Sequence, residues 1–410
     1  MIFFYNIAIF TYYFLIKLAS LFNPKAKLWI DGRKGIFDKM ASQIKTGEDI
    51  AWFHAASLGE FEQGRPVMEA FRKKYPAYKI LLTFFSPSGF EIRKNYEGAD
   101  YIFYLPMDTP RQAKRFIRHA NPKMVVFIKY EFWFNYIRIL HGKGIPVFIV
   151  SAIFRKEQHF FKGYGGWFRK MLRKFSYFFV QNQESYDLLR SIGISSVVIS
   201  GDTRFDRVQE IAGNKKSFPL IEQFVAGYRV LLAGSSWPPD EDILRRIPDN
   251  PELKIIIAPH EIHEDHIAAI ENKLGKEKTL RYSKANEGNI LQAKILIIDG
   301  IGFLSSLYQY CEVAYIGGGF GKAIHNILEA VTFGKPVIFG PAHEKFKEAV
   351  DLIKLGGAFA VNGEKEFIEI FDRLLQDHTF YRNASEICKG YVEENCGATK
   401  LIIDKLSDYT

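Results

Sequence analysis

Twelve short apolar runs, separated by stretches with helical spacing, constrain this chain more than any other feature. Seven come first, at residues 50–53, 80–85, 101–105, 124–128, 147–150, 177–180 and 197–200. Five follow, at 230–232, 255–258, 295–298, 313–316 and 337–339. Each is rich in Val, Ile, Phe or Tyr, as strands buried on both faces are. Between them lie helix signals. At Asp108-Thr109-Pro110 a capping residue precedes a proline, and Ala113, Phe116, Ile117 and Ala120 follow at helical spacing. Strands alternating with helices predict parallel sheets joined by right-handed crossovers. With 410 residues, two domains of similar size are expected. The polar stretch ending in GNKKSFPL separates the two series. The predicted division is an N-terminal anchor at 1–22, a first Rossmann-like domain at 23–205, a linker at 206–220 and a second Rossmann-like domain at 221–410. Two such halves would face a cleft, with ligands at the carboxyl ends of the strands.

Residues 1–22 read MIFFYNIAIFTYYFLIKLASLF, with Lys17 as the first charge. A secretory signal would place its positive charge before the apolar core. A spanning helix needs about 20 apolar residues, and Asn6, Thr11 and Lys17 interrupt this one. Lys17, Lys25, Lys27, Arg33 and Lys34 supply the positive flank that stays cytoplasmic. The segment reads as a membrane anchor, spanning or interfacial; a buried core helix is the competing reading. The formal charge of +9 suits acidic partners: nucleic acid, anionic lipid or phosphorylated metabolites. Cys311, Cys388 and Cys396 have no metal spacing and read as reduced thiols.

Four segments carry candidate chemistry. His54-Ala55-Ala56-Ser57-Leu58-Gly59-Glu60 follows a strand and opens a helix. A carboxylate there can take a proton from an attacking hydroxyl; equally, an acid in a first turn can simply complement the helix dipole. Gly317-Gly318-Gly319-Phe320-Gly321 precedes His325, Asn326 and Glu329. Glycine amides and a helix N-terminus there could hold a phosphate, and Glu329 could hold ribose hydroxyls. Pro259-His260-Glu261-Ile262-His263-Glu264-Asp265-His266 places His263 three residues before His266. A metal site needs three or four converging ligands, so no metal is expected. Arg155 to Lys174 mixes basic residues with Phe160, Phe161, Trp167 and Phe168. It could dock on anionic lipid, or be a solvated basic helix. No nucleic-acid motif accompanies it.

In their order along the chain these motifs resemble the Kdo transferases of lipopolysaccharide assembly, which have the GT-B fold and use CMP-Kdo. His54 to Glu60 is similar to that family's H-x-x-S-x-G-E, and the resemblance makes Glu60 the catalytic base, with Ser57 and Gly59 beside it. Pro106-Met107-Asp108-Thr109-Pro110 resembles its P-x-D-T-P segment. Glu131-Phe132-Trp133-Phe134-Asn135 resembles its E-x-W-P-N, with Phe134 in place of proline, and puts Glu131 on the acceptor side. Gly201 to Asp206 resembles G-N-x-K-F-D, placing Arg204 toward the nucleotide, and Ala233-Gly234-Ser235-Ser236 resembles A-G-S-T. His325-Asn326-x-x-Glu329 matches H-N-x-x-E. Two segments depart from the pattern. Pro259-His260-Glu261 stands where P-R-H is usual, and Ser151 stands where N-A-R-x-S has its asparagine.

The resemblance implies an inverting transfer of Kdo from CMP-Kdo to a lipid A precursor, lipid IVA, an anionic glycolipid. The donor nucleotide would meet Arg204, Ser235, Pro259, His260, Gly317, Gly318, Gly319, His325, Asn326 and Glu329. No cofactor or nucleic acid is expected. The chain should sit on the inner (cytoplasmic) membrane with its catalytic domains on the cytoplasmic side. Two rival classes are a sugar-nucleotide epimerase of the same fold and a non-catalytic lipid-binding protein.

Overall fold

The computed structural model describes all 410 residues. The first seven strands are β1 Ile50–Ala55, β2 Lys79–Phe84, β3 Tyr101–Tyr104, β4 Pro122–Ile128, β5 Val147–Ala152, β6 Tyr177–Val180 and β7 Val197–Ile199. They form one sheet in the order β3-β2-β1-β4-β5-β6-β7, and every pairing is parallel. The next seven are β8 Arg229–Ser236, β9 Leu253–Pro259, β10 Thr279–Arg281, β11 Ile295–Ile297, β12 Val313–Ile316, β13 Val337–Phe339 and β14 Ala358–Ala360. They form a second parallel sheet, β10-β11-β9-β8-β12-β13-β14. Helices cover both faces of each sheet, and for this reason the central strands are buried at every position and mostly apolar rather than alternating. Both units are Rossmann-like.

The compact units are Met1–Asp206 with Cys396–Thr410, and Arg207–Asn395. This differs from the expected division in two ways. Residues 206–220 are largely helical, with helices at Thr203–Gly213 and Pro219–Val225. The last fifteen residues also belong to the first unit, not to a second domain running to 410. Their helix, Ala398–Leu406, buries Ile402, Ile403 and Leu406 in the core that contains Val67 and Phe71 of the Leu58–Lys74 helix. Asp206 fixes its start, because the amides of Gly397 and Thr399 each donate to its carboxylate at 2.6 Å. A carboxylate at a helix N-terminus satisfies orphan amides and complements the dipole.

Candidate active site

In an open α/β sheet, ligands bind beyond the carboxyl ends of the strands where strand order reverses. In the first sheet that point lies between β1 and β4. Glu60 follows β1 and Glu131 follows β4, so residues 71 positions apart meet at one end of the sheet. Glu60 Oε2 accepts the amides of Ala56 at 2.6 Å and Ser57 at 3.1 Å. Ser57 is the N-cap of the Leu58–Lys74 helix, and Gly59 is exposed in its first turn. Burial, followed by the charge of Glu131, raises the Glu60 carboxyl above the ordinary glutamate range; the Ala56 amide, His54 and Lys129 oppose the shift.

Glu131 is 7% exposed. Its Oε2 accepts His54 Nε2 at 3.0 Å and the indole N–H of Trp133. His54 is fully buried, with Nδ1 2.8 Å from the Thr83 hydroxyl, which itself accepts Trp52 Nε1–H at 2.7 Å. His54 thus links Thr83, whose carbonyl also lies 3.0 Å from its Nδ1, to Glu131. The sequence reading named His54 only as part of a motif. A histidine inside an apolar strand was the signal, and its partner 77 residues away could not be read from spacing.

The second sheet reverses between β8 and β12. Ser235, at the end of β8, holds a left-handed backbone with φ of 54°. Such strain in a non-glycine residue clusters at ligand sites. The Gly317-Gly318-Gly319 turn follows β12 directly beside it, since a Cβ on Gly317 would meet Ser235 O at 2.2 Å. Two of the amides offered to a phosphate are committed within the chain. Gly317 N donates to Gly234 O at 2.9 Å, and Gly318 N donates to Asp240 at 2.9 Å. Asp240, which the sequence reading missed, is 1% exposed and also accepts Tyr315 OH at 2.7 Å and the Trp237 amide at 2.9 Å. Its place three residues into a helix start at Trp237 was the available signal.

Pro259 ends β9, and His260 beyond it is exposed. The His260 ring stacks on Trp237 at 4.7 Å and on His325 at 4.4 Å. His325 Nε2 accepts Trp237 Nε1–H at 3.1 Å. Burial and then His260 lower the His325 pKa to about 4, so the ring is neutral at physiological pH. Asn326 Oδ1 accepts the Leu328 amide, and its Nδ2 donates to Glu329 at 3.2 Å. The helix there is one turn, Leu328–Val331. Arg204, in the first unit, is oriented by Asp202, which accepts its Nε at 2.8 Å.

Gly319 offers a test of the turn. A Cβ there would meet the Gly340 backbone at 2.5 Å, whereas one on Gly321 would have only ordinary contact, with Gly318 O at 3.5 Å. Gly319→Ala should cost about 1–3 kcal/mol of stability through overpacking, measured by thermal unfolding, and Gly321→Ala should not.

Two surrounding segments also differ from expectation. Of the aromatic residues in the 155–174 stretch, Phe160 is buried against Phe132 at 4.9 Å and Trp167 is half-buried on Phe134 at 4.8 Å, whereas Tyr164 is exposed. Arg33 is not part of a solvated positive flank. It donates to the carbonyls of Trp29, Phe85 and Leu105 and lies 3.7 Å from the Trp29 ring centre; burial lowers its pKa to about 9. His266 spends its ring nitrogens on Glu241 at 2.9 Å and Glu261 O at 2.8 Å.

Residues 30–207 match the family described as 3-deoxy-D-manno-octulosonic-acid transferase (kdotransferase). A 3-deoxy-D-manno-octulosonic acid transferase of Aquifex aeolicus is 27% identical over 81% of this chain and 88% of its own length. One from Haemophilus influenzae is 24% identical over 96% and 94%. A crystal structure of UDP-GlcNAc 2-epimerase from Neisseria meningitidis shares the fold, with a TM-score of 0.61, 17% identity, and coverage of 88% of this chain and 100% of that one. A matched domain in the first half, relatives along most of the length and two Rossmann-like units agree: the chain is similar to the 3-deoxy-D-manno-octulosonic-acid transferases.

Proposed function

We propose that the protein moves Kdo from CMP-Kdo to the distal sugar of a lipid A precursor, lipid IVA, with inversion. One observation carries the reading: each sheet presents its candidate residues at its own switch point, acids in the first and a glycine turn in the second. Glu60 takes the acceptor hydroxyl proton as that oxygen bonds to the anomeric carbon of Kdo. The bond from that carbon to the phosphate oxygen breaks, and CMP leaves from the opposite face. Glu131, beside Glu60, lines the acceptor side. Within the second unit the Gly319 amide meets the departing phosphate, and Glu329 holds the ribose. A single phosphate leaves, so no metal enters the scheme. The charge of +9 suits both an acidic donor and an anionic glycolipid.

The membrane completes the reading. The N-terminal helix Ile2–Ala19 has mean hydropathy 1.6 and buries no residue fully. Phe3, Phe4, Phe10 and Phe14 are each more than half exposed. Such a face suits the inner membrane, with both units on the cytoplasmic side. Mass spectrometry of the lipid after incubation with CMP-Kdo and tetra-acylated lipid A precursor should show Kdo-bearing product. No such product would overturn the reading, and conversion of UDP-GlcNAc without any acceptor would point instead to epimerase chemistry.

A further inference from the structure

The reaction above gives no part to Asp108 or Asn135. Both side chains are fully buried, and both meet the N-terminal helix. Asp108 Oδ2 accepts Tyr5 OH at 2.5 Å and the Asn135 amide at 3.0 Å, while Oδ1 accepts the Tyr136 amide at 3.0 Å. Asn135 Nδ2 donates to Asp108 O at 2.6 Å and to Asn6 Oδ1 at 3.0 Å. The Tyr5 hydroxyl in turn accepts the Phe134 amide at 3.3 Å.

A second contact reaches the same loop independently. Tyr12 stacks on Phe85 with ring centres 6.2 Å apart, Phe85 packs on Trp133 at 4.7 Å, and the Trp133 indole donates to Glu131. Tyr5, Ile9, Tyr12 and Ile16 recur at helical spacing and share one face, opposite Phe3, Ile7, Phe10 and Phe14. Contacts at Tyr5 and Tyr12 lie about 10 Å apart along the helix axis, so the helix runs along the domain rather than away from it. Polar groups within an apolar segment are costly unless paired. Here Tyr5 and Asn6 are paired with the residues that hold the Glu131 loop.

We propose that the N-terminal helix is a positioning element of the acceptor site, latched by Asp108 and Asn135 through Tyr5 and Asn6 to the loop that carries Glu131. The proposal rests on the transferase reading above. It goes beyond anchoring, because a tether would matter only for meeting the lipid, whereas a latch matters after they have met.

The test is the double variant Tyr5→Phe with Asn6→Leu, which keeps the helix apolar and leaves Asp108 and Asn135 in place to protect the fold. It is assayed in detergent micelles with CMP-Kdo and tetra-acylated lipid A precursor, where encounter does not need a bilayer. Misplacing a reacting group by an ångström costs about 100-fold, so kcat should fall about 10- to 100-fold while KM for CMP-Kdo stays within about two-fold. Hydrogen exchange at the amides of Phe134, Asn135 and Tyr136 should quicken, a change that a tether would not show. An active wild type with an equally active double variant overturns the latch alone. A wild type that forms no Kdo-bearing lipid overturns the transferase reading and the latch with it.

Discussion

Replacing Glu60 by glutamine is expected to lower turnover by about 10²–10⁴-fold, the usual contribution of a general base, while the protein stays folded. The structure makes this substitution clean. Glu60 has a structural task, since one of its oxygens caps the Ala56 and Ser57 amides. Glutamine performs that task equally well in a capping box, but it cannot take a proton. If capping were the whole role of Glu60, Glu60→Gln would be nearly silent and Glu60→Ala would cost about 0.5–2 kcal/mol of stability. If Glu60 is the base, Glu60→Gln loses turnover with its melting temperature unchanged, and CMP affinity in the other unit is preserved. The pH profile adds a second check. Burial and Glu131 raise the Glu60 pKa, and the base acts only when deprotonated. The acid limb of kcat/KM should therefore lie above the ordinary glutamate value of about 4.3, with the rate rising as pH increases through it. A folded Glu60→Gln protein with wild-type turnover would remove Glu60 from the mechanism.

Ending the chain after Asn395 is expected to unfold the first unit although the cut lies beyond the second. The lost segment carries Ile402, Ile403 and Leu406, exposed by 0%, 6% and 0%. At about 1.5–3 kcal/mol for each buried side chain, the loss is roughly 5–9 kcal/mol, comparable with the whole stability of a domain, about 5–15 kcal/mol. Ile402→Ala is the gentler form and should cost about 2–5 kcal/mol, read as a lower urea midpoint. The helix it weakens rests on Leu58–Lys74, the helix that opens with Glu60. An unchanged midpoint for Ile402→Ala would mean the C-terminal helix adds nothing to that core.

Central strands were legible in the sequence, because parallel strands buried on both faces must be continuous apolar runs. All twelve expected runs are strands. The two unforeseen ones, β10 and β14, are three-residue edge strands, too short to show a period. The C-terminal helix was legible as a helix, but periodicity reports which face is apolar, not which domain will cover it. Pairings across the sheet were hidden for the same reason. His54 with Glu131, Asp108 with Tyr5 and Asp240 with Gly318 all join residues far apart in sequence. The glycine string promised free amides, yet where an N–H points is a property of the folded turn: Gly317 and Gly318 spend theirs on Gly234 and Asp240. Arg33 and Trp167 looked like surface residues because composition cannot show that carbonyls and rings will enclose them.

The return of the chain to its first unit also sets an order of events during synthesis. Domains made on the ribosome generally fold as units from the N-terminus onward. Here the first Rossmann-like unit cannot do so, because the helix that closes its core is translated only after the whole second unit. Until then Val67 and Phe71, which that helix helps to cover, face an unfinished wall, while Arg207–Asn395 has been made in full and is free to fold. The nascent protein is thus expected to pass through a stage with its second unit complete and its first unit open, at a time when its apolar N-terminal helix is already available to the membrane. Synthesis of residues 396–410, rather than emergence of the first two hundred residues, would be the moment at which Glu60 gains its supporting core.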